Sequence, residues 1–252
     1  MTENEKNNIF GLLGRNISYS FSRDYFTDKF QKLHLNNHSY VNFDMQHCDE
    51  FPNIISSEKN LKGLNVTIPY KQEIIPFLDE LDEIAKQIGA VNTIKITKNN
   101  TLKGYNSDAV GFEKSIKPLL KNHHQKALIL GTGGASKAVA YVFQKNNISF
   151  QFVSRNPEAI QEISYKNLTQ EILESHTIIV NCSPLGTSPN IDKYPDIPYQ
   201  FLNQQHLLYD LIYNPEETVF LSKGKKQGAT IKNGFEMLQL QAEESWRIWN
   251  DL

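Results

Sequence analysis

A short glycine-rich run, GTGGAS at residues 131–136, is the stretch whose residue types and setting point most directly to chemistry. It follows an apolar run at 127–130 that is typical of a buried strand, and it precedes a pattern typical of a helix. In this setting the first glycine permits a sharp turn, and the second lets the backbone approach a phosphate closely. The N–H groups at the start of the helix also attract an anion. The run therefore predicts a loop that holds the pyrophosphate of a dinucleotide.

The end of the next predicted strand, at 148–153, indicates which dinucleotide is bound. An NAD site usually places an Asp or Glu about 20 residues past the glycines, where it binds the ribose 2′-OH. Here the strand is followed by Ser154, Arg155 and Asn156, so the acid is missing and a guanidinium is present. A guanidinium pairs with a 2′-phosphate and stacks on a planar adenine. The sequence therefore predicts NADP rather than NAD.

Lys71 ends the run NVTIPYK at 65–71, just after a predicted strand at 64–68. Pro69 predicts the first turn of a helix, which places Lys71 in that turn. A cation there is unfavourable against the helix dipole, and such a placement at a strand end is typical of a functional residue. A solvated surface lysine also explains this feature alone. Asp108, just before the next predicted helix, can be explained as the N-cap of that helix without any functional role.

Hydroxyl groups alternate in the loop after the first predicted strand, at Ser18, Ser20 and Ser22. Alternate residues of an extended segment face the same way, and two converging hydroxyls can each donate a hydrogen bond to a carboxylate. The alternative is a serine-rich turn that caps a helix beginning near Asp24.

Two further polar residues are expected to border a ligand cleft. Tyr213 ends a predicted strand at 207–213, and ligands of open parallel sheets gather at the carboxyl ends of strands. Gln241 lies at the edge of the apolar stripe of the last predicted helix, where its amide bonds either a ligand or the core.

These residues lie on a regular alternation of strand-like and helix-like segments, which predicts an α/β fold. A dinucleotide-binding unit is expected around the glycine run, with further strands at 177–181, 207–213 and 229–231. Before it, the predicted strands are at 9–14, 39–43, 64–68, 90–96 and 102–105, and the predicted helices include 23–33 and 80–88. The final helix is predicted from about 234 to 249.

Composition excludes several classes of protein. The chain has 252 residues, a formal net charge of −2 and no strongly basic half, so a nucleic-acid role has little support. No apolar run reaches the roughly 18 residues of a membrane helix, and the polar, acidic N-terminus is not a secretory signal. The two cysteines, Cys48 and Cys182, make no disulfide framework, and the histidines lack metal-ligand spacing. The sequence predicts a cytoplasmic protein without a metal.

Taken in order, the motifs resemble those of the shikimate dehydrogenase family over essentially the full chain. The run NVTIPYK is the most specific of them. The others are SFS at 20–22, GAVNT at 89–93, GYNSD at 104–108, GTGGAS at 131–136, SRN at 154–156, YDLIY at 209–213 and GFEMLQLQ at 234–241. The family often has Pro where Arg23 stands, Asn-Thr-Asp-Gly where residues 106–109 read Asn-Ser-Asp-Ala, and Asn-Arg-Thr in place of residues 154–156.

The resemblance implies a substrate-binding α/β domain at 1–107 and 235–252 and an NADP-binding Rossmann-type domain at 108–234. It implies NADPH-dependent, reversible reduction of 3-dehydroshikimate to shikimate, within chorismate and aromatic amino acid biosynthesis. The partner implied is this small molecule, and the protein is expected to be a monomer or a homodimer, with no nucleic-acid or membrane partner.

The resemblance also implies a role for each matching residue. Lys71 is the acid–base residue and Asp108 is its partner. The substrate ligands are Ser20 and Ser22 with Tyr213 nearby for the carboxylate, and Asn65, Thr67, Asn92, Asp108 and Gln241 for the ring hydroxyls. The cofactor ligands are Gly131, Gly133, Gly134, Ala135, Ser136, Ser154, Arg155, Asn156 and Gly234. A neutral Lys71 is needed for oxidation, so shikimate oxidation is expected to rise with pH into the alkaline range.

Two other functions remain open at this point. A quinate/shikimate dehydrogenase that uses NAD is the nearest alternative, and Arg155 together with the missing acid argues against it. A dinucleotide-binding sensor without catalysis is the other, and it has no need of both Lys71 and Asp108.

Overall fold

The computed structural model describes residues 7–17 and 20–252. Ser18 and the acidic N-terminal residues 1–6 lie outside the described residues. The chain divides into two compact units, one formed by Met1–Ser107 with Ala242–Leu252 and the other by Asp108–Gln241. The sequence places the second change of domain at 234/235, whereas this division falls inside the last helix.

The first unit contains a six-stranded mixed sheet in the order β2-β1-β3-β5-β6-β4. Its strands are β1 (Asn8–Gly14), β2 (His38–Asp44), β3 (Leu61–Val66), β4 (Glu80–Leu81), β5 (Thr93–Ile96) and β6 (Leu102–Tyr105). Its helices are α1 (Phe21–Lys32), α2 (Phe51–Ser57) and α3 (Glu83–Ile88). Local chemistry sets the helix ends: Asp82 accepts the Ala85 N–H at 2.8 Å to begin α3, and Gly89, at φ 67°, ends it.

Strand direction in this sheet determines where its loops meet. β1, β2 and β3 are parallel, β5 runs antiparallel to β3, and β6 antiparallel to β5. The carboxyl ends of β1, β3 and β6 and the start of β5 therefore share one edge. The segments that leave this edge contain Ser20, Ser22, Thr67, Lys71 and Asn92.

Large aromatic side chains hold the end of the chain against this sheet. Phe10 of β1 lies 4.9 Å from Trp249 between ring centroids, and Phe26 of α1 lies 5.2 Å from Trp249. The Trp249 indole N–H donates to the Ile94 carbonyl at 3.0 Å. Apolar burial plus one satisfied polar group fixes the C-terminal turns of α8 (Phe235–Trp249) in the first unit.

The second unit contains six parallel strands in the order β12-β11-β10-β7-β8-β9. The strands are β7 (Lys126–Leu130), β8 (Ser149–Ser154), β9 (Glu162–Ser164), β10 (Ile178–Asn181), β11 (Leu207–Asp210) and β12 (Thr230–Lys232). The helices are α4 (Ser107–Ile116), α5 (Gly134–Lys145), α6 (Gln170–Ser175) and α7 (Val219–Lys226). This is the strand order of a doubly wound dinucleotide-binding fold, with its switch point between β7 and β10. The predicted α/β class with a Rossmann-type unit is confirmed.

Three local predictions are wrong. Residues 68–74 form consecutive turns followed by a 3-10 turn at Ile75–Phe77, so Lys71 does not lie in a helix. The helix predicted from Glu80 begins at Glu83, because Glu80–Leu81 pairs with β6. The strand predicted to reach Tyr213 ends at Asp210.

Candidate active site

Ser20 and Ser22 lie where α1 begins, beyond the carboxyl end of β1. Ser20 is the extended N-cap residue, and its hydroxyl oxygen accepts the Arg23 N–H at 3.4 Å. Ser22 is the second residue of the helix, so the extended segment expected for both serines is wrong. Both side chains are buried, at 6% and 9% exposure. Capping uses the oxygen of Ser20 as an acceptor, so its hydroxyl hydrogen remains able to serve a carboxylate, and the two roles are compatible.

Asn65, in β3, is 4% exposed and belongs to a buried hydrogen-bond network. Its Oδ1 accepts from the Tyr40 hydroxyl at 2.8 Å, and its Nδ2 donates to the Ser245 hydroxyl at 2.8 Å. Thr93 lies 2.8 Å from Ser245, oxygen to oxygen. Both ends of the Asn65 amide are therefore engaged inside the first unit.

Thr67 follows β3 directly and is half-buried. Its backbone N–H donates to the Leu13 carbonyl at 2.9 Å, which continues the pairing of β3 with β1 by one residue. The side chain of Thr67 therefore leaves the sheet at the same edge as the serine loop.

Asn92 lies just before β5 and is 2% exposed. Its Oδ1 accepts the Ser107 N–H at 2.7 Å, and its Nδ2 donates to the Ser107 hydroxyl at 3.0 Å. Asn92 therefore supplies an acceptor to the first N–H of α4. The hydroxyl groups of Ser20, Ser22 and Thr67 and the amide of Asn92 therefore belong to segments at the same edge of the sheet.

Lys71 is half-buried in the turn segment that leaves β3. Its backbone carbonyl accepts the Val91 N–H at 2.7 Å, and the Ile68–Pro69 peptide is cis. The neighbouring Tyr70 is fully buried, and its hydroxyl donates to the Met45 carbonyl at 2.7 Å. Two anchors therefore fix the backbone on either side of the Lys71 side chain.

Asp108 and Gln241 both belong to the second unit. Asp108 is 6% exposed and lies in the first turn of α4, inside the helix, so it is not the N-cap. Gln241, on α8, is 8% exposed, and its Nε2 donates to the Leu238 carbonyl at 3.0 Å. A Cβ on Gly111 of α4 would lie 2.7 Å from the Met237 carbonyl, so α4 and α8 pack backbone to backbone between these two polar residues.

The glycine loop lies at the switch point of the second sheet. Gly131 has φ 113°, a conformation that favours glycine, and its Cα faces the Cys182–Ser183 backbone that follows β10. Gly133 is the exposed N-cap of α5 and makes no side-chain cap bond, so the helix presents its first N–H groups to an anion. Gly134 and Ala135 are half-buried at that helix start. The Ser136 hydroxyl, in contrast, donates to the Gly133 carbonyl at 2.6 Å and shapes the loop from inside.

Residues 154–156 follow the neighbouring strand β8. The backbone turns tightly there, because the Ser154 hydroxyl accepts the Asn156 N–H at 3.2 Å. Arg155 is exposed at the tip of this turn. An uncapped helix start, a glycine turn at the switch point and an exposed guanidinium one strand away together fit a dinucleotide with a 2′-phosphate.

A buried polar node at the ends of β10 and β11 supports the loop that faces Gly131. Asn181 Nδ2 donates to Asp210 Oδ1 at 3.0 Å, and Asn181 Oδ1 accepts the Ser183 N–H at 3.0 Å. The Thr218 hydroxyl donates to Asp210 Oδ2 at 2.6 Å. Burial raises the pKa of Asp210 to about 6, and its hydrogen bonds act in the opposite direction.

Tyr213 and Gly234 belong to the loops after β11 and β12. Tyr213 lies three positions past the end of β11 and is half-buried, with its ring 6.5 Å from the Phe235 ring. A Cβ on Gly234 would lie 2.1 Å from the Leu211 carbonyl oxygen, so only glycine fits there. Gly234 therefore shapes the loop after β11.

Sequence reasoning missed Tyr40, Asn181 and Asp210. For Asn181 and Asp210 a signal existed, since each is a polar residue at the carboxyl end of an apolar strand. Tyr40 lies inside a strand of mixed composition, and its partners are distant in sequence. No local pattern identifies it.

Residues 7–17 and 20–252 contain no group of three or more His, Cys, Asp or Glu side chains arranged for a metal ion. None of the helices in these ranges is both long and apolar enough to span a membrane.

Comparison with known proteins identifies the family. Residues 12–94 match the family model described as the shikimate dehydrogenase substrate binding domain. A shikimate dehydrogenase (NADP(+)) from Desulforamulus reducens is 36% identical, covering 98% of this chain and 91% of the relative. The crystal structure of the Aquifex aeolicus shikimate dehydrogenase superposes with a TM-score of 0.87 at 32% identity, covering 100% of this chain and 95% of that one.

A second solved structure is that of shikimate 5-dehydrogenase from Thermus thermophilus, in complex with NADP(H) and shikimate. It has a TM-score of 0.85 at 27% identity, covering 97% of this chain and 94% of that one. Both the sequence and the structural similarity extend over both compact units. The chain therefore belongs to the shikimate dehydrogenase family.

Proposed function

We propose that this protein catalyses the reversible, NADPH-dependent reduction of 3-dehydroshikimate to shikimate. The observation that carries the proposal is the edge of the first sheet, where strand direction gathers Ser20, Ser22, Thr67, Lys71 and Asn92. Their hydroxyl, amide and amine groups match the carboxylate, ring hydroxyls and ketone of this substrate. The ligands of the Thermus relative support the same assignment.

Lys71 is the general acid and base of the reaction. When bound, NADPH would supply the hydride that reduces the ketone carbon. The ammonium group of Lys71 stabilises the developing alkoxide and donates the proton that completes the alcohol. In the reverse direction the neutral amine accepts that proton. Asp108 is the carboxylate partner that orients the lysine.

Different polar residues are assigned to different groups of the substrate. Ser20 and Ser22 donate hydrogen bonds to the carboxylate, with Tyr213 as a third hydroxyl near it. The ring hydroxyls are bound by the set Asn65, Thr67, Asn92, Asp108 and Gln241. Buried polar groups of this kind discriminate strongly, because a substrate without the matching hydroxyl leaves them unpaired.

The residues assigned to the cofactor all belong to the second unit, whereas those assigned to the substrate belong mainly to the first unit and the C-terminal helix. In the second unit the loop of Gly131, Gly133 and Gly134 with Ala135 and Ser136 approaches the pyrophosphate. The turn at Ser154, Arg155 and Asn156 binds the 2′-phosphate. Gly234, which shapes the loop after β11, is the remaining residue assigned to the cofactor.

One assay tests the function directly. Purified protein with shikimate and NADP is expected to produce NADPH, followed by its absorbance. Parallel reactions with NAD and with quinate separate this function from that of an NAD-dependent quinate/shikimate dehydrogenase. No NADPH from shikimate in any condition would instead favour a sensor that binds the dinucleotide without catalysis.

The cellular setting is part of the proposal. Both cysteines are free, which supports a reducing cytoplasm. A monomer or a homodimer is expected in solution, and light scattering after gel filtration distinguishes the two.

A further inference from the structure

The loop after β10 and the turn at Arg155 lie on opposite sides of β7 in the second sheet. The strand order there is β10-β7-β8; Arg155 follows β8, and residues 182–188 follow β10. Dinucleotides bind in the crevice at the switch point, which lies here between β7 and β10. A cofactor whose 2′-phosphate meets Arg155 therefore has its nicotinamide half on the side of the loop after β10.

The backbone of this loop faces the glycine turn directly. A Cβ on Gly131 would lie 3.5 Å from the Cys182 carbonyl oxygen and 3.5 Å from the Ser183 nitrogen. The Cys182 N–H donates to the Leu130 carbonyl at 3.0 Å, which continues the pairing of β10 with β7 by one residue. Sheet pairing thus fixes the chain as far as Cys182, and the turn at 183–185 needs other contacts.

Asn181 supplies these contacts with all the donors and acceptors of its amide. Its Oδ1 accepts the Ser183 N–H at 3.0 Å and the Ser183 hydroxyl at 2.7 Å. Its Nδ2 donates one hydrogen to the Leu185 carbonyl at 3.3 Å and the other to Asp210 Oδ1 at 3.0 Å. Asn181 is fully buried, so the turn at 183–185 is folded around an amide whose hydrogen-bonding capacity is used completely.

Asp210 determines which way the Asn181 amide points. If that amide turned over, Nδ2 would face the Ser183 N–H and Oδ1 would face Asp210, so donor would meet donor and acceptor would meet acceptor. Asp210 is held in turn by the Ile212 N–H at 3.1 Å and by the Thr218 hydroxyl at 2.6 Å. A buried, fully bonded polar network of this kind is rigid, so Asp210 fixes the turn at 183–185 through Asn181.

We propose that Asp210 is a positioning residue for the nicotinamide half of the cofactor, which acts through Asn181 to hold the turn at 183–185 at the switch point. The proposal rests on the NADP binding that the proposed function includes. It assigns no contact between Asp210 and the cofactor, because the Asp210 side chain is fully buried.

Two ligands of different length test the proposal by direct binding. NADPH contains both halves of the cofactor, whereas adenosine 2′,5′-bisphosphate contains only the adenosine half with its 2′-phosphate. Asp210→Ala releases the Asn181 amide and is expected to raise the Kd for NADPH about 3- to 10-fold, the size of one net hydrogen bond. The Kd for the bisphosphate should stay close to that of wild type. Calorimetric titration of each variant measures both constants.

Asp210→Asn is the matched variant that keeps the link. Its Oδ1 still accepts from Asn181, and its amide nitrogen can donate to the Thr218 hydroxyl, because a hydroxyl both donates and accepts. The Kd for NADPH should therefore stay close to that of wild type. Ser115→Ala removes another buried hydrogen bond of the second unit, that with the Tyr209 hydroxyl at 2.7 Å, and should leave both constants unchanged.

Asn181→Ala gives an independent reading, including the case in which Asp210→Ala does not fold. It removes the side chain through which Asp210 acts, so it should also raise the Kd for NADPH, and adding Asp210→Ala should raise that constant no further. An unchanged Kd for NADPH in either folded variant, or an equal increase for both ligands, overturns the positioning role. Wild-type protein that binds NADPH but oxidises no shikimate overturns the proposed function instead.

Discussion

The backbone carbonyl of Lys71 accepts a 2.7 Å hydrogen bond from the N–H of Val91. Val91 directly precedes Asn92, whose side chain in turn accepts the N–H of Ser107 at 2.7 Å. The turn that carries Lys71 is thus tied to the start of β5, and the start of β5 is tied to the start of α4. These bonds fix the backbone from which the Lys71 amine extends.

Lys71→Ala is expected to lower kcat by at least about 10²-fold, because general acid–base catalysis contributes on this scale. The KM for shikimate should change little, since the backbone anchors do not involve the amine. Steady-state kinetics of shikimate oxidation measure both parameters. Lys86→Ala, an exposed lysine in the last turn of α3, is the matched control and should retain full activity.

The pH profile gives a second view of the same residue. Oxidation needs a neutral Lys71 to accept the proton, so wild-type activity should rise from neutral to alkaline pH. Residual activity of Lys71→Ala should lack this rise. A flat wild-type profile contradicts the role of Lys71 as the base.

Arg155→Ala is expected to raise the KM for NADP by about 10- to 100-fold, because a hydrogen bond to a charged group contributes about 1.5–3 kcal/mol. The KM for NAD should stay nearly constant, since NAD lacks the 2′-phosphate. The ratio of kcat/KM for the two cofactors reports the change. Lys226→Ala, an exposed cation on α7, controls for loss of charge and should keep the ratio.

Local sequence patterns were sufficient to predict the backbone of the glycine loop. The glycine turn, the strand before it and the helix after it are contiguous, and the backbone conformation at Gly131 requires glycine whatever the distant packing. The exposed turn at Arg155 is likewise set by its own residues. Periodicity also identified most strands, because each has one apolar face or a fully apolar run.

The substrate half could not be predicted as well, because its geometry depends on contacts distant in sequence. Pro69 and Lys71 suggested a helix, but the segment instead turns back so that Lys71 can pair its carbonyl with Val91. Ser22 was assigned an extended conformation, but Ser20 caps a helix that already contains it. Tyr40 of β2 bonds Asn65 of β3 and stacks on Phe26 of α1, and no single sequence pattern records these contacts.

Asp210 should make stability depend on pH in an unusual direction for a carboxylate. Its pKa rises from 3.8 to about 6 on burial, so the folded chain holds the proton more tightly than the unfolded chain. The resulting stabilisation is fully present below the unfolded pKa and is lost as pH rises through about 6. The loss is on the order of 2–3 kcal/mol in the free energy of unfolding.

Asp210→Asn isolates this contribution, because asparagine keeps the size and does not ionise. Between about pH 4 and pH 7, the free energy of unfolding of Asp210→Asn should rise relative to that of wild type by about 2–3 kcal/mol. Urea titrations at each pH measure this difference. Asp192→Asn, at an exposed position in the same unit, should show a constant difference from wild type. If the difference between Asp210→Asn and wild type is also constant with pH, folding does not raise the pKa of Asp210.

Gly63→Ala is expected to loosen the attachment of the C-terminal turns. The added Cβ would lie 2.3 Å from Nε1 and 2.4 Å from Cδ1 of Trp249, while the indole N–H is bonded to the Ile94 carbonyl. Overpacking of this kind costs about 1–3 kcal/mol, measured by denaturant unfolding, whereas the exposed neighbour Lys62→Ala should stay within about 0.5 kcal/mol of wild type. Because Ser245 lies one helical turn before Trp249 and bonds Asn65, the displaced ring should also raise the KM for shikimate. A variant that unfolds like wild type would show that the indole can shift without loss, and that the last turn does not constrain the substrate residues.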